Sequence, residues 1–108
     1  MYTYRAKYRS NYDGDTIRFD IDLGFGVILS NQIVRLYGVN TPELRGDEKE
    51  LGKKVRDEVK ELLSKANIIT LRTYKDKKGK YGRWLAEVNY DGEDLTKLLI
   101  AQGYKHTY

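Results

Sequence analysis

The chain has 108 residues and no cysteine, which suits a single domain over residues 1–108 and excludes disulfide frameworks and thiolate metal sites. Lys and Arg number 20 against 16 Asp and Glu, for a net charge of +4, a modest surplus that fits a polyanionic partner without demanding one. No window approaches the roughly 18 consecutive apolar residues of a membrane-spanning helix. Met1 to Arg5 lacks the apolar stretch of a secretory leader. On these grounds the chain reads as cytoplasmic, or as secreted if a leader has been trimmed, with no membrane role; its oligomeric state is not legible, and monomer is the default.

Residues 2–9 alternate, with Tyr2, Tyr4, Ala6 and Tyr8 against Thr3, Arg5, Lys7 and Arg9. Period two over eight residues predicts a half-buried strand. Ser10 to Gly14 supplies turn chemistry, with Asp13-Gly14 its strongest pair. Taken alone, that pair reads as an ordinary hairpin turn. The alternation resumes from Asp15, with Ile17, Phe19, Ile21 and Leu23 on one face. Asp15 shares their parity, so its carboxylate is expected to point inward at the strand's end. An ionised carboxylate there is costly unless a cation or hydrogen-bond donor meets it.

Leu23-Gly24-Phe25-Gly26 breaks the run, and a restart at Val27–Leu29 is interrupted again by Ser30-Asn31-Gln32. The 23–32 stretch therefore reads as a long hairpin tip whose role is not legible. Ile33 to Val39 carries apolar residues of both parities, as a strand covered on both faces does. Arg35 in that strand is then partly buried and needs an anionic partner, either Asp15 or a ligand. The strand runs into Asn40-Thr41-Pro42-Glu43, which contains the only proline. Proline fixes its own φ and holds the preceding residue extended, so the Thr41 carbonyl has little freedom of direction.

Asp47, with Glu50 three residues on, has capping-box form and predicts a helix start. Leu51, Val55, Val59, Leu62, Leu63 and Ala66 form its apolar face, and Gly52 weakens its first turn by about 1 kcal/mol. Ile68 to Tyr74 predicts a fourth strand, Lys75 to Lys80 a basic loop, and Tyr81 to Tyr90 a fifth strand. Asp91-Gly92 turns the chain. Asp94 caps a short helix carrying Leu95, Leu98 and Leu99, which Gly103 ends. Five strands with about two helices, the first after strand three, predict a mainly β, α+β fold: a small closed barrel of OB type.

Three motifs in this order, Asp13-Gly14-Asp15-Thr16, Arg35 with Asn40-Thr41-Pro42-Glu43, and Tyr81-Gly82-Arg83, resemble the staphylococcal nuclease (thermonuclease) family over about residues 4–103. The resemblance implies the same barrel, a calcium cofactor, DNA and RNA as substrates, and cleavage leaving 3′-phosphate ends. It also implies contact of Lys80 and Tyr81 with a terminal phosphate. Where the family's motif has a second metal-binding aspartate, this chain has Asn40. The chain ends at Tyr108, without the further C-terminal helix that the resemblance implies.

The residues themselves suit this chemistry. Asp15, Asn40 and the Thr41 carbonyl are oxygen ligands for a hard cation. Glu43 is placed to hold or deprotonate a water, and Arg35 and Arg83 can clamp a phosphate with paired hydrogen bonds. Two competing expectations stand beside a nuclease. One is a nucleic-acid-binding module of this family with weak or lost catalysis. The other is a structural or protein-binding barrel, which leaves the inward carboxylates unexplained. The run Lys75 to Lys80 can be a solvated loop, and Tyr104, His106 and Tyr108 have no fixed register.

Overall fold

The computed structural model describes residues 2–44, 46–78 and 83–106. Strand β1 (Tyr2–Asn11), β2 (Thr16–Gly24) and β3 (Val27–Leu36) form an antiparallel meander, and short β4 (Val39–Asn40) follows. A 3₁₀ turn (Gly46–Glu48) leads into helix α1 (Lys49–Lys65), then β5 (Ile69–Lys78) and β6 (Trp84–Tyr90). Short β7 (Glu93–Asp94), α2 (Leu95–Ala101) and β8 (Lys105–His106) complete the described chain. The sheet order is β3-β2-β1-β5-β6-β7, and β3 also pairs with β6, in parallel from Val34↔Trp84 to Leu36↔Ala86. That pairing closes the five long strands into a barrel, the α+β OB-type architecture expected.

Ile17, Phe19 and Ile21 of β2 meet Val34 and Leu36 of β3, Leu71 of β5, and Ala86 and Val88 of β6 in the core. Val55, Val59 and Leu63 of α1 and Leu95 and Leu99 of α2 join the same cluster. Period two in the strands and period four in α1 thus converge on one interior. The Asp94 carboxylate accepts from the Lys97 amide at 3.1 Å, the expected cap of α2.

Several sequence expectations are corrected. The interruption at Ser30-Asn31-Gln32 does not occur: β3 runs through it. A register shift between Phe19 and Ile21 and a positive φ at Asn31 absorb the irregularity, and the Asn31 amide donates to Asp20 Oδ1 at 2.8 Å. The strand through Arg35 ends at Leu36, and not at Val39. Residues 75–78 continue β5, and are not loop. Of the expected strand 81–90, β6 begins at Trp84, and Tyr81 and Gly82 lie outside the described residues. The capping box at Asp47 does not form: α1 starts at Lys49, capped by Glu48 with no side-chain hydrogen bond. Leu51 is exposed, and Gly52 takes the buried position beside it. At the far end, the β2–β3 tip exposes Leu23, Phe25, Val27 and Ile28.

Candidate active site

Two chain segments meet beside the N-terminal half of α1. The first is the turn before β2. Its Tyr12 amide donates to the Thr16 carbonyl at 2.9 Å, the Asp15 amide to Asp13 Oδ1 at 3.2 Å, and the Leu36 amide to the Asp15 carbonyl at 2.9 Å. Gly14 is dictated by close approach. A Cβ there would lie 2.5 Å from Val55 Cγ1 and 2.8 Å from Thr41 Oγ1, so any side chain would push the turn away from helix and loop alike.

The second segment is the Asn40–Glu43 loop, and Gly52 explains how it is held. A Cβ on Gly52 would sit 2.3 Å from the Glu43 carbonyl oxygen and 3.0 Å from that of Pro42. The loop backbone therefore lies directly on the helix, which is why a helix-weakening residue stands inside α1. The Glu43 amide also donates to Glu48 Oε2 at 3.3 Å. Gly52→Ala is expected to cost about 1–3 kcal/mol of stability by driving the Asn40–Glu43 loop off the helix, even though alanine favours helix by about 1 kcal/mol. Thermal melting will check this, and an unchanged or raised Tm would refute it.

Asp15, at the end of the turn, links it to the loop and is 7% exposed. Its Oδ2 accepts from the Thr41 amide at 3.1 Å and lies 3.3 Å from Arg35 Nη2. Arg35 spreads its donors widely: Nη1 to the Val39 carbonyl at 2.8 Å and to the Leu36 carbonyl, and Nη2 to Asn40 Oδ1. The ion pair weighed from the sequence thus forms, and the Asn40 amide is drawn into the same network. Burial pushes the Asp15 carboxyl up to about 7, and the neighbouring Asp13 carboxylate adds to the rise. Arg35 and the Thr41 amide oppose that shift without cancelling it.

These residues border one open cleft of about 720 Å³, whose lining includes Asp13, Asp15, Arg35, Asn40, Thr41 and Glu43. Arg83, at the foot of β6, and Tyr104, after α2, complete it. All six sequence candidates within the described residues come together here: Asp15, Arg35, Asn40, Thr41, Glu43 and Arg83. Lys80 and Tyr81 lie outside the described residues. Tyr104 reaches the cleft from the tail, because the pairing of β8 with β4 at Asn40↔Lys105 ties the tail to the loop.

Sequence reasoning missed two acidic residues. Asp13 was legible only as turn chemistry, since its backbone-capping role and its place on the cleft use the same side chain. Glu48, which supports the Glu43 amide, carried no signal of its own.

The groups on the Asp15 side of this cleft that could ligate a cation are oxygens, from the Asp13 and Asp15 carboxylates, the Asn40 side-chain amide and Thr41. Among the described residues no three His, Cys, Asp or Glu cluster as metal ligands. A cation here would therefore keep waters and use amide or carbonyl oxygens. That is the habit of a hard divalent ion. The raised Asp15 carboxyl fits such an ion, because burial beside a second carboxylate leaves negative charge that a cation would neutralise. The Thr41 hydroxyl oxygen, buried and without a hydrogen-bond partner among the described residues, is a further acceptor at this point.

A family described as "Staphylococcal nuclease homologue" matches residues 33–108. Among curated proteins, the chain is 32% identical over 105 residues to a Bacillus subtilis (strain 168) protein named endonuclease YhcR, covering 89% of this chain. The chain spans only 8% of that protein's length. No helix among the described residues is long and apolar enough to cross a membrane.

Proposed function

The chain belongs to the staphylococcal nuclease homologue family, and from that premise we propose that it is a calcium-dependent nuclease hydrolysing DNA and RNA to 3′-phosphate ends. The observation that carries this reading is the convergence of Asp15, Arg35, Glu43 and Arg83 on one open cleft. Such a set holds both signs of charge that phosphodiester hydrolysis needs: carboxylates for a cation and a water, guanidiniums for the phosphate.

Asp15, Asn40 and the Thr41 carbonyl would hold the ion, which, when bound, polarises the phosphoryl oxygens. Glu43, exposed on the cleft, takes the proton from the attacking water. Its backbone is held from behind by Gly52 and Glu48, which fixes the point from which the carboxylate reaches into the cleft. Arg83 faces the cleft as a phosphate ligand. Arg35 has a double task. It keeps Asp15 from being an uncompensated buried charge, and it lies close enough to the Asn40 edge of the cleft to share a donor with a bound phosphate.

One feature favours a second reading, a nucleic-acid-binding module of low catalytic rate. The Arg35 donors already engage protein acceptors, and Asn40 brings one negative charge fewer than an aspartate would. Asn40→Asp is accordingly expected to tighten calcium binding several-fold. The carboxylate puts a full negative charge where an amide oxygen would otherwise hold the ion, a gain that exceeds the competing attraction to Arg35. Calorimetric titration of both proteins checks this, and equal affinities would refute it.

The direct test is cleavage of single-stranded DNA in calcium, in EDTA, and by Glu43→Ser in calcium. Cutting that needs calcium and collapses in the variant supports the nuclease. Binding without cutting in any divalent ion supports the module.

A further inference from the structure

A second hollow adjoins the cleft. It has a volume of about 430 Å³ and shares Thr16 and Arg83 with the active site as a common wall. Beyond that wall it is bounded by Tyr12, Arg18 and Ile33. Register explains the arrangement. Thr16 pairs with Arg35 at the active site, and two residues along the same strands Arg18 pairs with Ile33. The outer face of β2 and β3 thus continues from the catalytic residues straight into this groove.

Each element of the groove matches a nucleotide. Tyr12 is largely exposed, at 68%. The backbone beneath it is fixed, since the Tyr12 amide donates to the Thr16 carbonyl. Asn11 is tied down by three hydrogen bonds: from Tyr8 Oη at 2.5 Å, to the Asp13 carbonyl at 3.1 Å, and to the Arg56 carbonyl at 2.9 Å. An exposed aromatic ring on an immobile support is a stacking platform held ready before the ligand arrives. Arg18 stands beside it, and among the described residues no carboxylate pairs with its guanidinium.

We propose that this groove, built from Tyr12, Arg18 and Ile33, is a second nucleotide subsite that receives the strand leaving the catalytic cleft past Arg83. Tyr12 and Ile33 take the face of one base, and Arg18 takes the phosphate that follows it. The ligand is a single strand, because a base stacked within a duplex does not offer its face to a side chain. The subsite rests on the nuclease reading for its link to catalysis, but its binding can be measured without cleavage.

The test uses Tyr12→Ala and Arg18→Ala in the full chain, with thermal melting of each as a folding control. Two probes are compared: a fluorescent oligothymidylate of roughly a dozen nucleotides and the p-nitrophenyl ester of thymidine 5′-phosphate, which reaches the catalytic cleft alone. Each variant is expected to raise the oligomer Kd about tenfold, with a distinctly smaller change in KM for the ester. Arg18→Ala is also expected to flatten the dependence of log Kd on log salt by about 0.7, the share of one phosphate contact on a single strand. Tyr12→Ala should leave that slope alone.

Oligomer affinities equal to the parent's would overturn the subsite, as would equal fold-losses on both probes or a parent protein that does not bind the oligomer. If the parent binds but cuts neither probe, the nuclease reading fails while the oligomer Kd still decides the groove.

Discussion

Glu43→Gln is expected to lower kcat on single-stranded DNA by about 10²- to 10⁴-fold, the usual contribution of a general base, with oligomer Kd nearly unchanged. Glutamine has the same shape and leaves the loop's supports in place. The Glu43 amide still donates to Glu48, and the carbonyl still lies on Gly52. The capacity to take a proton is removed together with the negative charge, while the backbone supports stay. That distinguishes it from Gly52→Ala, which keeps the carboxylate and moves it, so that the two substitutions separate chemistry from placement. Single-turnover cleavage with parallel anisotropy binding would measure both quantities. A Gln variant within tenfold of the parent would take the base role from Glu43 and leave Asp13, Asp15 and Glu48 as the remaining carboxylates on the cleft.

Arg35→Ala is expected to cost about 3 kcal/mol or more of stability, the range for removing one partner of a buried ion pair. At roughly 4–8 °C per kcal/mol for a chain of this size, Tm would fall by more than about 10 °C. The loss is not only Coulombic: the Leu36 and Val39 carbonyls each lose a guanidinium donor.

The deficit should also depend on pH. Asp15 already has its carboxyl pushed up to about 7 in the folded protein, above the unfolded value of about 3.9. A carboxyl raised on folding binds more protons folded than unfolded, so its effect on stability becomes less favourable as pH rises between those two values. Arg35 opposes this rise, and without it the folded carboxyl moves higher still. The variant's shortfall should therefore be smaller at pH 5 than at pH 8. Thermal melting at both values would show it, and a shortfall that shrinks as pH rises would refute the assignment. Arg35→Lys keeps one charge but cannot reach two carbonyls and two side chains at once. It should fall between parent and alanine in stability.

The barrel was legible because period two is hard to mistake when one face is buried. Ile17, Phe19 and Ile21 mark the interior as plainly in the sequence as in the fold. The end of β5 was not legible, because Lys75 to Lys78 carries charge on every residue and strand pairing is made by the backbone, which leaves no trace in composition. The uninterrupted course of β3 was hidden for the opposite reason. Ser30-Asn31-Gln32 has turn chemistry, and Asn31 does adopt a positive φ, but a bulge uses the same residues as a turn.

At the cleft, the motif residues could be named from the sequence because each bears a functional group. Gly52 bears none. Read by helix propensity it was a blemish at the start of α1, and only the position of the Glu43 backbone against it reveals why the helix tolerates the cost. Leu51 was placed on the buried face for the same reason: periodicity assumes that a side chain, and not a loop, covers the helix.

Helix α1 meets both loops that carry the carboxylates, through Val55 at Gly14 and through Gly52 at Glu43. Its hold on the barrel comes from Val55, Val59 and Leu63 in the core and from the bond of the Asn11 side chain to the Arg56 carbonyl. A partial opening in which α1 lifts away while the strands stay paired would release the two loops together. Heating should then silence the cleft before the sheet itself comes apart, giving activity a melting point of its own, set by how firmly one helix is docked.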